Sequence, residues 1–224
     1  AKEVATVTRE YQKQALDRTH RWAKRSLDAH RRNLEARKGQ GIFGVIQGGR
    51  YEDLRRDSAQ TLADLGFDGF GIGGSFSKED MHTAVGWVCE ELPQDKPRHL
   101  LGIGEPLDLL GGIEQGADLF DCVAPTRIAR TGMVYTKYGK INLLNEKFKT
   151  DLTPLDEGCA CPTCSSYSKA YLAHLFRAKE MLAATLATQH NLYFLITFVE
   201  QIRLSILEGR FKDFKQEFEA LYRA

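Results

Sequence analysis

Ile42-Phe43-Gly44-Val45-Ile46-Gln47-Gly48-Gly49 decides the reading of this chain, because its arrangement recurs downstream. A short apolar run ends in glycines, and residues 51–65 then space Leu54, Thr61/Leu62 and Leu65 at a helical period. Phe67 to Ile72 is the second run and ends in Gly73-Gly74-Ser75; residues 79–92 follow with Met81, Val85, Val88 and Leu92 on one helical face. His99 to Ile103 is the third run. Pro106 then opens a helix carrying Leu109, Leu110 and Ile113, proline being favoured in a first turn. Ala117 to Val123 is the fourth run. Strand and helix alternating at a spacing of roughly 25 residues predict βαβ units and a parallel sheet. A doubly wound sheet and a (β/α)8 barrel both fit. A complete barrel takes roughly 250 residues for eight units, so the runs seen here amount to half of one.

Outside this region the pattern changes. Residues 5–37 read as one or two polar, basic helices with Trp22 and Leu27 as buried anchors. Residues 133–136 and 141–144 suggest a hairpin around Tyr138-Gly139-Lys140. Three helical stripes close the chain: Tyr171, Leu175, Leu182 and Leu186; Leu195, Val199, Ile202 and Ile206; Phe211, Phe214, Phe218 and Leu221. The expected division is a helical lead-in over 1–40, a βα part over 41–150 and a C-terminal helical subdomain over 151–224.

Composition narrows the class. The chain has 224 residues, 42% apolar and 27% charged, which excludes a disordered chain, a collagen-like repeat and a disulfide-dense mini-protein. No run approaches the ~18 apolar residues of a membrane span, and the start lacks the apolar core of a signal peptide. The net charge of +1 conceals a pattern. Residues 1–50 hold 12 Lys/Arg against 5 Asp/Glu, an excess of 12 − 5 = +7. Residues 101–122 hold five acids and no base, and residues 123–149 return to six bases against one acid. Such stretches offer local phosphate-binding faces, or simply solvated helix surfaces.

Five cysteines, an odd number, point to a reducing, cytoplasmic compartment and to free or metal-bound thiolates. Cys159-x-Cys161-x-x-Cys164 is too tight to pair internally and suits three thiolates converging on one ion. Zinc needs a fourth ligand. His190 supplies it where one amphipathic pattern ends and another begins; His174, inside a helical stretch, is the competitor. Cys89, on an apolar helix face, reads as a core residue.

In βα folds the active site lies at the C-terminal ends of the strands. Those ends are Gln47-Gly48-Gly49, Gly73-Gly74-Ser75, Gly102-Ile103-Gly104-Glu105 and Asp121-Cys122. Gln47 offers an amide donor and acceptor to a planar heterocycle. Glycines let a ligand approach the backbone. Asp121 is either a nucleophile or base, or the cap of a following helix. Arg127 and Arg130, just beyond it, suit phosphates or base edges, or stand as solvated loop residues.

Taken together, Phe120-Asp121-Cys122-Val123-Ala124-Pro125-Thr126-Arg127, the Gln47-Gly48 and Gly73-Gly74 strand ends and the Cys-x-Cys-x-x-Cys…His190 set resemble the tRNA-guanine transglycosylases, or queuine tRNA-ribosyltransferases. The similarity runs from about His20-Arg21-Trp22 to the C-terminus. It implies an α/β fold, the C-terminal half of an irregular (β/α)8 TIM barrel with a zinc-binding helical subdomain. It implies a glycosyltransferase that exchanges guanine at the tRNA wobble position for a 7-deazaguanine through a covalent ribosyl-aspartate. Asp121 matches the nucleophile. Gln47, Gly73, Gly74, Ser75 and Leu101 match the base pocket. Two segments match RNA contacts: Gly102, Ile103, Gly104, Glu105, Pro106, Leu107 and Asp108, and Thr126, Arg127, Ile128, Ala129 and Arg130. Cys159, Cys161, Cys164 and His190 match the ligands of one structural Zn²⁺. The implied partners are the tRNA anticodon loop, a 7-deazaguanine base and a second copy in a homodimer.

The chain departs from the family at several points. The family's N-terminal half, with the first barrel strands, a second catalytic Asp and another that reads the base, has no counterpart here. The expectation is therefore a fragment, or one half of a split enzyme, that binds zinc and catalyses little alone. Ser75-Phe76-Ser77 stands where many bacterial members have Leu and a small residue, which leaves open whether queuine or 7-aminomethyl-7-deazaguanine is the base. Glu105 stands where many relatives have Lys. The alternatives are a non-catalytic tRNA-binding subunit, against which the presence of Asp121 argues, and an unrelated carboxylate glycosidase barrel.

Overall fold

The computed structural model describes residues 8–33, 35, 38–74 and 80–222; Ser75 lies outside them. The chain is mixed α/β and forms two compact units: Ala1–Ile103 with Gly111–Asp121, and Gly104–Leu110 with Cys122–Ala224. Among the described residues no helix is long and apolar enough to cross a membrane.

In the first unit, α1 (Arg9–Arg32) precedes the alternation β1 (Phe43–Ile46), α2 (Glu52–Leu65), β2 (Gly69–Ile72), α3 (Met81–Glu91) and β3 (Arg98–Leu100). Along the chain, helix α4 (Pro106–Glu114), of which Pro106–Leu110 belong to the second unit, and β4 (Leu119–Phe120), of the first, follow. The strands are parallel in the order β1-β2-β3-β4, with Ile46 beside Ile72, Ile72 beside Leu100 and Leu100 beside Phe120. Every neighbour in the sheet is therefore the next strand in sequence, without the reversal of order that marks a doubly wound sheet.

Side chains on a strand alternate between faces. Ile46, Phe70, Ile72 and Leu100 pack with Ala59 and Leu62 of α2 and Val85 and Val88 of α3 in one apolar core. The opposite face carries Phe43, Val45 and Leu119, all exposed. Cys89 packs against the core, and burial pushes its thiol up to about 11.

Helix α1 corrects one expectation. Leu27 is buried, but Trp22 is 57% exposed and the second anchor is Leu16. Leu16 and Leu27 stand 27 − 16 = 11 residues apart, about three helical turns, and share a stripe that Trp22 does not.

The second unit contains α5 (Ala124–Ala129), a hairpin of β5 (Met133–Thr136) and β6 (Gly139–Asn142), and the helices α6 (Pro162–Ser166), α7 (Lys169–Arg177), α8 (Met181–Leu207) and α9 (Phe211–Leu221). The hairpin turn is tighter than the sequence suggests. Thr136 pairs with Gly139, so Lys137-Tyr138 forms a two-residue loop and Gly139 already belongs to β6. Thr136 Oγ1 donates to the Gly139 carbonyl (2.8 Å) and accepts from the Tyr138 N–H (3.2 Å).

The helical stripes are also divided differently. The first straddles a break at Lys179, which has φ 59°. Glu180 N–H reaches the Leu175 carbonyl (3.0 Å) and Lys179 N–H the Phe176 carbonyl (3.1 Å), the paired bonds of a Schellman stop. The break resets the phase, so Leu175 and Leu186 are buried while Tyr171 and Leu182 face solvent. The remainder joins the second stripe in one continuous 27-residue helix, α8. Leu195 and Ile202 are buried there, whereas Ile206 is exposed. Helix α9 packs through its rings, Phe198 lying 4.3 Å from Phe218 and 6.1 Å from Phe214 between centroids, and Leu221 faces solvent.

Candidate functional site

In the first unit the strand ends converge. His99 pairs with Leu119, and Asp121 stands two residues beyond Leu119, on the same face of the sheet. The Asp121 side chain is 60% exposed. Its Oδ1 accepts the Gly102 N–H (3.1 Å) and lies 3.0 Å from His99 Nε2. Both contacts engage one oxygen, and among the described residues no hydrogen bond engages Oδ2. The capping alternative fails, because α5 has Val123 at its N-cap and no side-chain cap. A carboxylate held by one oxygen and open at the other can attack an electrophilic carbon or accept a proton.

Gln47 follows β1, its N–H donating to Ser58 Oγ (3.3 Å). Its amide lies over the β2 end. A Cβ at Gly73 would stand 3.1 Å from Gln47 Nε2 and 3.5 Å from Leu101 Cδ1. One at Gly74, where φ is +91°, would stand 2.9 Å from Gln47 Oε1. The structure thus brings Gln47, Gly73, Gly74 and Leu101 together: an amide, bare backbone and an apolar side chain, the elements that read a planar heterocycle.

Two neighbours escaped the sequence reading. One is His99, hidden within an apolar run. The other is Arg55 of α2, fully buried. Its Nε donates to the Gly49 carbonyl (2.8 Å) and its Nη1 to the Gly73 carbonyl (2.6 Å). Burial pushes its guanidinium down to about 10, still well protonated at neutral pH. The available signal was position: Arg55 shares the helical stripe of Ser58, Ala59 and Leu62.

Of the first expected RNA segment, Gly102 and Ile103 belong to the first unit and Gly104 to Asp108 to the second. Gly104 and Pro106 are buried, and Leu107 and Asp108 are half-buried. Glu105 is paired within the chain: Oε2 lies 3.2 Å from Lys140 Nζ, and Oε1 accepts from the Tyr135 hydroxyl at 3.5 Å. The second segment, Thr126 to Arg130, is mostly helix rather than loop. Arg127 and Arg130 are exposed, whereas Ala129 is buried in the second unit's core.

The cysteine cluster closes as a four-ligand group. The sulfurs of Cys159, Cys161 and Cys164 and Nδ1 of His190 all lie within 4.8 Å of one another. Nδ1 is 3.8, 3.5 and 3.4 Å from the three sulfurs in that order. A tetrahedral zinc with bonds of about 2.3 Å to sulfur and about 2.0 Å to nitrogen requires about 3.5 Å between them. The group fits such an ion. His190 Nε2 lies 2.7 Å from the Tyr135 carbonyl. A carbonyl only accepts, so the ring proton sits on Nε2 and the Nδ1 lone pair faces the thiols. Cys161 caps α6, its sulfur accepting the Cys164 N–H (3.3 Å), which sets the turn joining two ligands. Burial pushes the Cys159 and Cys164 thiols up and lowers the His190 ring. His190 lies inside α8, not at a helix boundary as expected, and His174 is exposed on α7, outside the group.

The sequence profile of the queuine tRNA-ribosyltransferases matches residues 3–224. This chain belongs to the queuine tRNA-ribosyltransferase family. Queuine tRNA-ribosyltransferases of Caldanaerobacter subterraneus subsp. tengcongensis and Bacillus subtilis are 48% and 47% identical to it over 216 residues. That alignment covers 95% of this chain and 56% of each relative. The queuine tRNA-ribosyltransferase of Fusobacterium nucleatum is 44% identical over 220 residues, 96% of this chain and 58% of its own length. The chain thus spans a little over half the length of these relatives.

One more residue became visible only in the fold. Asn191, buried beside His190, accepts the Tyr135 N–H (3.0 Å) and donates to the carbonyls of Pro125 (3.0 Å) and Met133 (3.1 Å). It ties α8 to α5 and to the hairpin whose Tyr135 carbonyl orients the metal-facing histidine.

Proposed function

We propose that this chain carries the nucleophile, the base-reading strand ends and the zinc site of a tRNA-guanine transglycosylase. The observation that carries this reading is Asp121: one oxygen held by Gly102 and neighboured by His99, the other open, at the end of a parallel strand. Oδ2 attacks C1′ of the wobble ribose, the C1′–N9 bond breaks, and guanine leaves with the electron pair and takes up a proton. The resulting ribosyl ester is cleaved when N9 of a 7-deazaguanine attacks the same carbon, loses its proton and returns the carboxylate. Two displacements at one carbon are the logic of a retaining carboxylate enzyme.

Gln47, Gly73, Gly74 and Leu101 hold the base flat. Arg127 and Arg130 meet phosphates or base edges of the anticodon loop, with Gly102 to Asp108 as the second RNA-facing segment. Cys159, Cys161, Cys164 and His190 hold Zn²⁺, which with four protein ligands supplies a cross-link and no reactive position. The sheet is half of an irregular (β/α)8 barrel, with Phe43, Val45 and Leu119 on its interior face; the sequential strand order supports this.

The test uses the intact protein in which this chain occurs. Asp121→Asn should abolish incorporation of labelled guanine into tRNA, by at least about 10³-fold, together with the covalent RNA adduct on a denaturing gel. Exchange at the parental rate in that variant overturns the reading.

A further inference from the structure

We propose that Arg55 is a positioning residue for base recognition, clamping the two strand-end loops that form the base pocket. This rests on the proposed roles of Gln47, Gly73 and Gly74.

A fully buried guanidinium carries a large desolvation penalty, so its contacts indicate what it is retained for. Here they run to two different loops. Nε holds the Gly49 carbonyl and Nη1 the Gly73 carbonyl, residues 73 − 49 = 24 apart in the chain. These are charge-assisted bonds, stronger than neutral ones, and the planar fork sets both directions at once. No lysine can reproduce that spacing.

The glycines around the pocket are fitted to the same residue. A Cβ at Gly74 would lie 3.0 Å from Arg55 Nη2, and one at Gly48 would lie 2.8 Å from the Arg55 backbone N. Gly48 has φ +132° and Gly74 φ +91°, conformations other residues rarely adopt. Gln47 Oε1 and Arg55 Nη2 therefore both border Gly74, while Nη1 fixes the carbonyl of the preceding Gly73. Misplacing a recognition group by about 1 Å can cost about 10²-fold, which is the scale of effect such a clamp controls.

The experiment is steady-state guanine exchange by the intact protein, with guanine and tRNA varied separately. Arg55→Lys should raise KM for guanine by about 10–100-fold while KM for tRNA stays within about twofold and zinc content is unchanged. Unchanged KM for guanine in a folded Arg55→Lys protein overturns the proposal, as does an equal rise in both KM values, which marks a general structural role. If Arg55→Lys fails to fold, Gly49→Ala takes its place. Its Cβ meets the Gln12 side chain, 3.1 Å away, and shifts the carbonyl that Nε holds without altering the guanidinium. The same selective rise is expected, and its absence again overturns the proposal. Failure of the underlying reading is separate: it appears as exchange retained by Asp121→Asn, or as an unchanged guanine KM in Gln47→Ala.

Discussion

The strand-end region of the first unit and the metal-binding region of the second reach order by opposite routes. The first repeats one local device, a short strand followed by an amphipathic helix, and each repeat adds one residue or loop to the site. The second has no repeat. Its order comes from a long helix, α8, whose interior carries His190 to thiols 190 − 164 = 26 or more residues earlier, and from Asn191 beside it. A site built from repeats spreads its dependence over many contacts. A site closed by one cross-link concentrates it.

The largest effect should follow from opening the cross-link. His190→Ala or Cys161→Ser removes one of four ligands, and metal content by elemental analysis should fall from about one per chain to near zero. Far-ultraviolet circular dichroism should then report lost helix in α6–α9. Retention of a full equivalent of zinc by both variants would break the comparison.

Next in size, Asn191→Leu leaves the Tyr135 N–H, the Pro125 carbonyl and the Met133 carbonyl without this partner. It should destabilise the protein by about 2–5 kcal/mol in urea titration. A loss below about 1 kcal/mol would show the hairpin to be held mainly by packing. In the repeated region, Ile72→Val should cost only about 0.5–1.5 kcal/mol, because it removes a single methylene from the core.

His99→Ala probes the first region's chemistry. Removing the group 3.0 Å from Asp121 Oδ1 should lower kcat for exchange by about 10-fold, with the Gly102 N–H still in place, and should have no further effect in an Asp121→Asn background. Smallest of all, Trp22→Ala should shift stability by less than about 0.5 kcal/mol, since this tryptophan is exposed on α1.

What was legible followed the same division. The four strands, the helices between them and the glycines ending the first three strands came from hydrophobic period and local turn chemistry, both written over fewer than about 15 residues. The cysteine triplet was legible because three ligands lie within six residues. The end of α7 was not, since Lys179 adopts the backbone normally left to glycine and no Gly or Pro announces the stop. The hairpin was displaced by reading Gly139 as the turn, when the Lys137-Tyr138 pair makes it. Trp22 misled because size suggests burial, while helical phase decides it.

The sequence by itself determined the alternation of β1 to β4 with the helices between them, and it singled out Asp121, Gln47, the paired glycines and the Cys/His set as candidates for the chemistry. These depend on near neighbours and on the intrinsic reactivity of side chains. Only the tertiary structure decided that Arg55 bonds two loops, that Gly102 holds one oxygen of Asp121 with His99 3.0 Å away, that Tyr135 orients His190, and that Glu105 is paired with Lys140. A polar residue's burial and partner are fixed by which distant segments pack against it, and spacing along the chain carries no record of that packing.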